Sequence, residues 1–278
     1  MIASLVLAAA LAAPAPLSRQ DVAACLGTAD FATNLETLAK ARSEVPDATW
    51  RDACRAAREA NARRRSTLRV LFATGRAPTL GFASTTSLLA RARDAKDPAV
   101  RALYERAAHD QAARESNQRL EKSGFAPGAS PLVLRLVEAI SSGDALRADA
   151  ESRRWLQTTV STRGWFTISR DGEHADQAAW LIAQHADADP QAQRALIAIM
   201  EPLAATGETN PRRFAFLYDR WARGAGQPQR YGVMGECVGA GVWRPRPIED
   251  ADALDARRRQ AGLPPMAEHQ AEQARACR

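Results

Sequence analysis

The chain has 278 residues, 46% of them hydrophobic and 25% charged, with a formal net charge of +6. That composition is ordinary for a soluble globular protein able to bury one larger core or two small ones. The charge is carried by arginine, since lysine occurs only at Lys40, Lys96 and Lys122. Such a bias reflects codon usage as much as function, so it does not by itself argue for an anionic partner. No run of about 18 apolar residues follows the N-terminus, which excludes an internal transmembrane helix.

The opening MIASLVLAAALAAPAP reads as a targeting segment, with an apolar stretch over 2–13 and an A-x-A site at Ala10-Leu11-Ala12. Residues 1–15 are therefore expected to be a signal peptide, giving a periplasmic or secreted protein with no membrane span after its removal. The four cysteines fit export. Cys25 lies near Cys54 and Cys237 near Cys277, no C-x-x-C is present, and an oxidising compartment favours pairing. One disulfide near each end would close loops of about 30–40 residues, contributing roughly 3–4 kcal/mol each.

Residues 16–90 read as an N-terminal helical segment. Asp30 is placed to cap a helix bearing Phe31, Leu35 and Leu38, which ends before Pro46. Asp47 is placed to cap a helix from about Ala48 to Leu71, with Trp50, Cys54 and Ala57 on one face. Arg51, Arg55 and Arg58 form a stripe that continues into Arg63-Arg64-Arg65. Asp52 and Glu59 interrupt it and no aromatic platform lies within it, so a solvated surface is expected rather than a nucleic-acid interface. The stretch from Gly75 to Ser87 reads as a loop.

A helical domain is expected over 97–268. Asp97-Pro98 opens a helix that stops near Gly124, and FAPGASP makes a break. A further helix runs from Leu132 to Ile140 and ends by Gly143. From about Asp149 the composition changes, and five of the six tryptophans lie between 155 and 243. Three helices follow, from Gly172 to about Ala186, from Asp189-Pro190 to about Ala205, and from Asn210-Pro211 to Gly224. Residues 229–248 read as a short β-hairpin arm, and Asp250 or Asp252 caps a last helix that stops at Gly262. The fold class is mainly α, a bundle-like domain with a hairpin arm behind an N-terminal helical segment.

The segment WLIAQHADADP, residues 180–190, is where chemistry would concentrate. His174 and His185 lie eleven residues apart, which aligns them within roughly 20° on one helix stripe but separates them by about 16 Å. They cannot share one metal ion on a straight helix. Asp189 is explained as a cap, whereas Asp187 faces the negative end of a helix dipole with no local compensation. His185 and Asp187 at one turn could supply a general base and its orienting carboxylate. They could equally be a buried histidine and an acid paired with an arginine.

Several short motifs recur in order over the second half of the chain: Asp110-Gln111 with Arg114, Gly164-Trp165, Gln184 to Asp187 with Asp189-Pro190, and Asp219-Arg220. Gln229, Tyr231-Gly232, Pro247-Ile248 with Asp250, and Arg259 with Gly262-Leu263 follow. This order resembles a bacterial family known as domain of unknown function 6624 and covers somewhat more than half the chain. The resemblance implies a domain boundary and carries no reaction. The family arm reads Y-G-T-Q where this chain has Tyr231-Gly232-Val233-Met234, so a binding role of that polar pair does not transfer.

With the resemblance, Asp110, Gln111, Arg114, Gln184, His185, Asp187, Asp219, Arg220, Gln229 and Tyr231 form the candidate polar set. One reading is a pocket between helices, with His185 as acid/base, Asp187 or Asp110 as its partner and arginine holding a small anionic ligand. The other is a network that only fixes helix packing in an envelope interaction module. No G-x-S-x-G, H-E-x-x-H, Walker loop or dinucleotide fingerprint is present, and neither a metal nor a cofactor is assigned.

Overall fold

A computed structural model describes residues 16–76, 82–121 and 124–278; the expected signal peptide lies outside them. Twelve α-helices and one two-stranded hairpin make up the described chain. No helix among these residues is long and apolar enough to cross a membrane.

The N-terminal part contains α1 (Arg19–Leu26), α2 (Leu35–Ser43), α3 (Asp47–Thr74) and α4 (Ala83–Asp94). Asn34, not Asp30, caps α2 by accepting from the Glu36 and Thr37 N–H groups, so Phe31 lies before the helix. Asp47 occupies the first turn of α3 and pairs with Arg42. The expected 75–87 loop gives way to α4 at Ala83, whose start is held by Glu115 accepting from the Ser84 N–H, the Thr85 N–H and the Thr85 hydroxyl; residues 77–81 lie outside the described chain.

Next come α5 (Pro98–Glu121) and α6 (Pro131–Arg163). The Asp97 carboxylate accepts from the Ala99 and Val100 N–H groups at 2.7 and 3.3 Å, the expected cap for α5. The sequence places a stop at Gly143, but α6 runs straight through it. The glycine is there for close approach. A Cβ at this position would lie 2.5 Å from Phe31 Cα, so the loop before α2 rests directly on the α6 backbone.

The remaining helices are α7 (Ile168–Asp171), α8 (Glu173–Gln184), α9 (Pro190–Thr206) and α10 (Pro211–Gly224). Asp189 and Asn210 cap the last two through the Ala192 and Arg213 N–H groups, as their sequences indicate. Strands β1 (Gly235–Gly239) and β2 (Val242–Pro245) pair antiparallel with Cys237 opposite Trp243. Gly235 is obligatory, because a Cβ there would enter the Trp243 ring. After α11 (Leu254–Gln260) a helix beyond the expected end appears, α12 (Met266–Ala274), started by Pro265 and packed against β2.

Two large apolar clusters result. The first joins α1–α4 to the first half of α6 through Leu38, Trp50, Leu71, Leu136 and Ile140. The second joins α5, α8, α9 and α10 to the second half of α6 through Leu156, Trp165, Ile182, Leu196 and Leu217. Disulfides Cys25–Cys54 and Cys237–Cys277 close spans of 29 and 40 residues, and no free cysteine remains.

Candidate functional site

Helices α5, α6 and α8 meet with small residues at their contacts, including Ala107, Ala178, Ala179 and Ala183, all buried. Small side chains let the backbones approach closely, and polar groups on adjoining stripes are then pressed together. His185 is the C-cap of α8, at φ −92° and ψ 11°, which turns its ring off the helix toward α5. Its Nδ1 donates to the Asp110 carboxylate at 2.8 and 3.0 Å.

Asp110 is 1% exposed and is also reached by Arg114 Nη1 and Gln111 Nε2, each at 2.7 Å. Burial alone would raise its pKa. The His185 hydrogen bond and charge, with the Arg114 guanidinium, nevertheless hold the carboxyl below its ordinary value. With Asp110 ionised, His185 Nδ1 carries the proton of that hydrogen bond, and Nε2 is the ring nitrogen left over for another partner. Nε2 has no hydrogen-bond partner among the described residues.

Asp149 completes the group from α6. Both outer nitrogens of Arg114 donate to it at 3.2 Å. Burial pushes its pKa up to about 6, and the neighbouring Asp110 carboxylate adds to the rise against the opposing pull of Arg114. Asp149 lies outside the polar set that the sequence motifs mark. The available signal was an acid on the stripe that continues through Ser152, Leu156 and Val160, all buried.

Asp110, Asp149 and His185 each offer a ligand atom within 4.8 Å of the others, a spacing that could surround a cation. Arg114 already places positive charge between the two carboxylates, so a divalent ion would have to displace its guanidinium.

The other sequence-chosen residues lie elsewhere. Asp187 reaches from the α8–α9 turn to α10, where Arg220 Nε donates to both its oxygens at 2.9 and 3.1 Å and Gln193 adds a bond at 3.3 Å. Burial opposes its ionisation, but Arg220 lowers its pKa overall; no hydrogen bond joins it to His185. Asp219 is fully buried and accepts the backbone N–H groups of Arg230, Tyr231 and Val233. Burial outweighs these bonds and raises its pKa. Gln229 clips the arm by donating to the Met234 and Arg246 carbonyls and accepting from the Met234 N–H. Tyr231 packs edge-on against Phe214 and Tyr218, and burial pushes its pKa up to about 12. Gln184 Oε1 is buried without a hydrogen-bond partner among the described residues.

Gln111 links the His185 group to a cavity of about 300 Å³ between α4, α5 and α8, lined also by Ser84, Ser87, Arg91, His174 and Leu181. His185, Asp110, Asp149 and Arg114 do not themselves line that cavity, and Gln111 alone connects them to it. An oriented imidazole, a titratable acid and an arginine held together are groups that can move a proton and hold an anion.

Residues 107–275 match the sequence profile of a family described as a family of unknown function, DUF6624. No curated protein and no solved structure matches the chain.

Proposed function

The chain belongs to DUF6624, a family of unknown function, and we propose for it a hydrolase-like, ligand-binding role exercised by His185 and Asp110 between α5, α6 and α8. One observation carries the reading: the imidazole is oriented through Nδ1 by a buried carboxylate while Nε2 has no hydrogen-bond partner among the described residues. In this role His185 Nε2 takes a proton from water as the water adds to a carbonyl or phosphoryl centre, then returns it to the departing group. Asp110 positions the ring and stabilises its charge. Arg114, the most exposed member of the group at 29%, draws the substrate toward an anionic class, and Asp149 exchanges its proton near pH 6. Two disulfides with no free thiol accord with a periplasmic or secreted site of action.

A second reading has its own support: Asp110 is sealed, and all members of the group but His185 Nε2 bond mainly to one another. On that reading the cluster fixes packing in an envelope interaction module. Hydrolysis of p-nitrophenyl esters and phosphates by the purified chain separates the two. Turnover that falls at least about 100-fold in His185→Gln and in Asp110→Asn, with helicity retained, supports the catalytic reading. No turnover by the parent, or turnover indifferent to His185→Gln, assigns the cluster to packing.

A further inference from the structure

A second cavity, of about 450 Å³, lies between α8 and α10 with the arm at its edge. That volume falls within the roughly 300–1,000 Å³ range of small-molecule sites. Two sequence stripes build it. Arg212, Phe216 and Arg220 recur every fourth residue on α10, and Trp180 and Gln184 do so on α8. Met234 joins from the arm, its main chain fixed at both N–H and carbonyl by Gln229. Trp180 is fixed too, its Nε1 donating to the Arg213 carbonyl at 2.7 Å. The walls thus combine three apolar side chains with Arg212, Arg213 and Arg220, and no carboxylate lines the space.

The charges there are unevenly matched. Arg220 is committed to Asp187. Arg213 is stretched between Glu173 at 3.4 Å and Asp176 at 3.5 Å. Arg212 is exposed and makes no ion pair or hydrogen bond among the described residues. Both Arg212 and Arg213 sit in the first turn of α10, where the helix dipole disfavours cations and favours an anion. One buried polar atom of a lining residue, the acceptor Gln184 Oε1, also lacks a hydrogen bond among the described residues, whereas Arg213 Nη1 faces the buried Asp176 carboxylate. Buried polar atoms are nearly always paired, so an unanswered acceptor among the residues of one cavity calls for explanation.

We propose that this cavity binds an N-acylated apolar amino acid, or the same chemistry at the C-terminus of a peptide. The carboxylate would sit between Arg212 and Arg213, the amide N–H would serve Gln184 Oε1, and the apolar side chain would cover Trp180, Phe216 and Met234. Each part of the ligand answers one unmet feature of the wall, and inorganic phosphate answers only the first. The site is separate from the His185 reading and does not depend on it.

Intrinsic tryptophan fluorescence and calorimetry with N-acetyl-phenylalanine test the assignment on the whole chain. Saturable binding is expected, weakened at least tenfold for N-acetyl-phenylalaninamide, for 3-phenylpropionate and for N-acetylglycine, which remove the charge, the N–H and the apolar body in turn. Arg212→Ala, an exposed position whose loss leaves the fold intact, should weaken the acid tenfold and leave the amide unchanged. Gln184→Leu should weaken N-acetyl-phenylalanine while sparing 3-phenylpropionate. Ala-Ala-Phe binding as tightly as N-acetyl-phenylalanine would mark a peptide C-terminus as the ligand, and much weaker binding a free acyl amino acid. The proposal falls if the acid fails to bind, if its amide binds equally well, or if Arg212→Ala binds like the parent. His185→Gln should bind normally, so failure of the catalytic reading would leave this result standing.

Discussion

Two charged networks hang from α6 five residues apart, and they differ in what they leave over. Around Asp144, the buried Arg64 spans from α3, with its Nε and Nη2 on Asn61 Oδ1 and Nη2 also on Asp144, while Arg147 adds a bond to Asp144 at 3.0 Å. Around Asp149, Arg114 bridges two carboxylates, and a histidine bonds one of them while keeping a ring nitrogen in hand. Residue types are nearly the same. In the first network the acids answer arginines, and the product is a joint between helices. In the second, two close acids share one arginine, so burial and mutual repulsion leave one of them titrating near neutrality.

Substitutions can break or sharpen this contrast. The largest effect is expected at Arg64→Leu, which strands Asp144 beside α3. It should lower unfolding free energy by about 2–4 kcal/mol in urea titrations, with Arg147 limiting the loss. A smaller cost would mean that the first network is not a joint.

Asp149→Asn should give a pH-dependent difference of about 1–2 kcal/mol. In the folded chain Asp149 holds a proton up to about pH 6, whereas an ordinary carboxyl loses it near 3.8. Stability from this group is therefore present below about pH 4 and is lost as pH rises through 6. Asparagine does not ionise, so the variant should gain on the parent between pH 4 and 7. The opposite contribution of Asp110, whose pKa is depressed, is lost only below pH 4. Parallel unfolding midpoints across that range would erase the distinction between the networks.

His185→Gln should cost only about 1 kcal/mol, since a glutamine amide can still donate to Asp110. A loss matching that of Arg64→Leu would make the second network a joint as well. Smallest of all, Asp187→Asn should cost about 0.5 kcal/mol in thermal unfolding, because its ion pair with Arg220 is partly exposed.

Local chemistry was legible in the sequence. Asp97-Pro98, Asp189-Pro190 and Asn210-Pro211 all start helices because a cap and a proline act within one turn, and both cysteine pairs followed from proximity along the chain. Long-range events were not. Gly143 reads as a stop because its reason for being glycine, the Phe31 backbone, lies more than a hundred residues away. Asp187 lacks a partner in its own neighbourhood because Arg220 answers it from α10. From the residues alone His185 was paired with Asp187; Asp110 and Arg114 entered as alternatives only through the family resemblance, and Asp149 did not, since burial of an acid shows only when α6 is packed.

Helix α6 is about 50 Å long, at 1.5 Å per residue over its 33 residues, and it ends one core and begins the other. The family match starts at residue 107, inside α5. A fragment trimmed to that boundary would keep all of α6 but discard what covers Val133, Leu136, Val137 and Ile140. Those side chains would form a sticky seam, and the loss of Val100, Leu103 and Tyr104 would open the second core as well. Anyone expressing the family-matched portion alone should expect dimers or precipitate, and the remedy is to begin upstream, at Pro16, rather than to add solubilising tags.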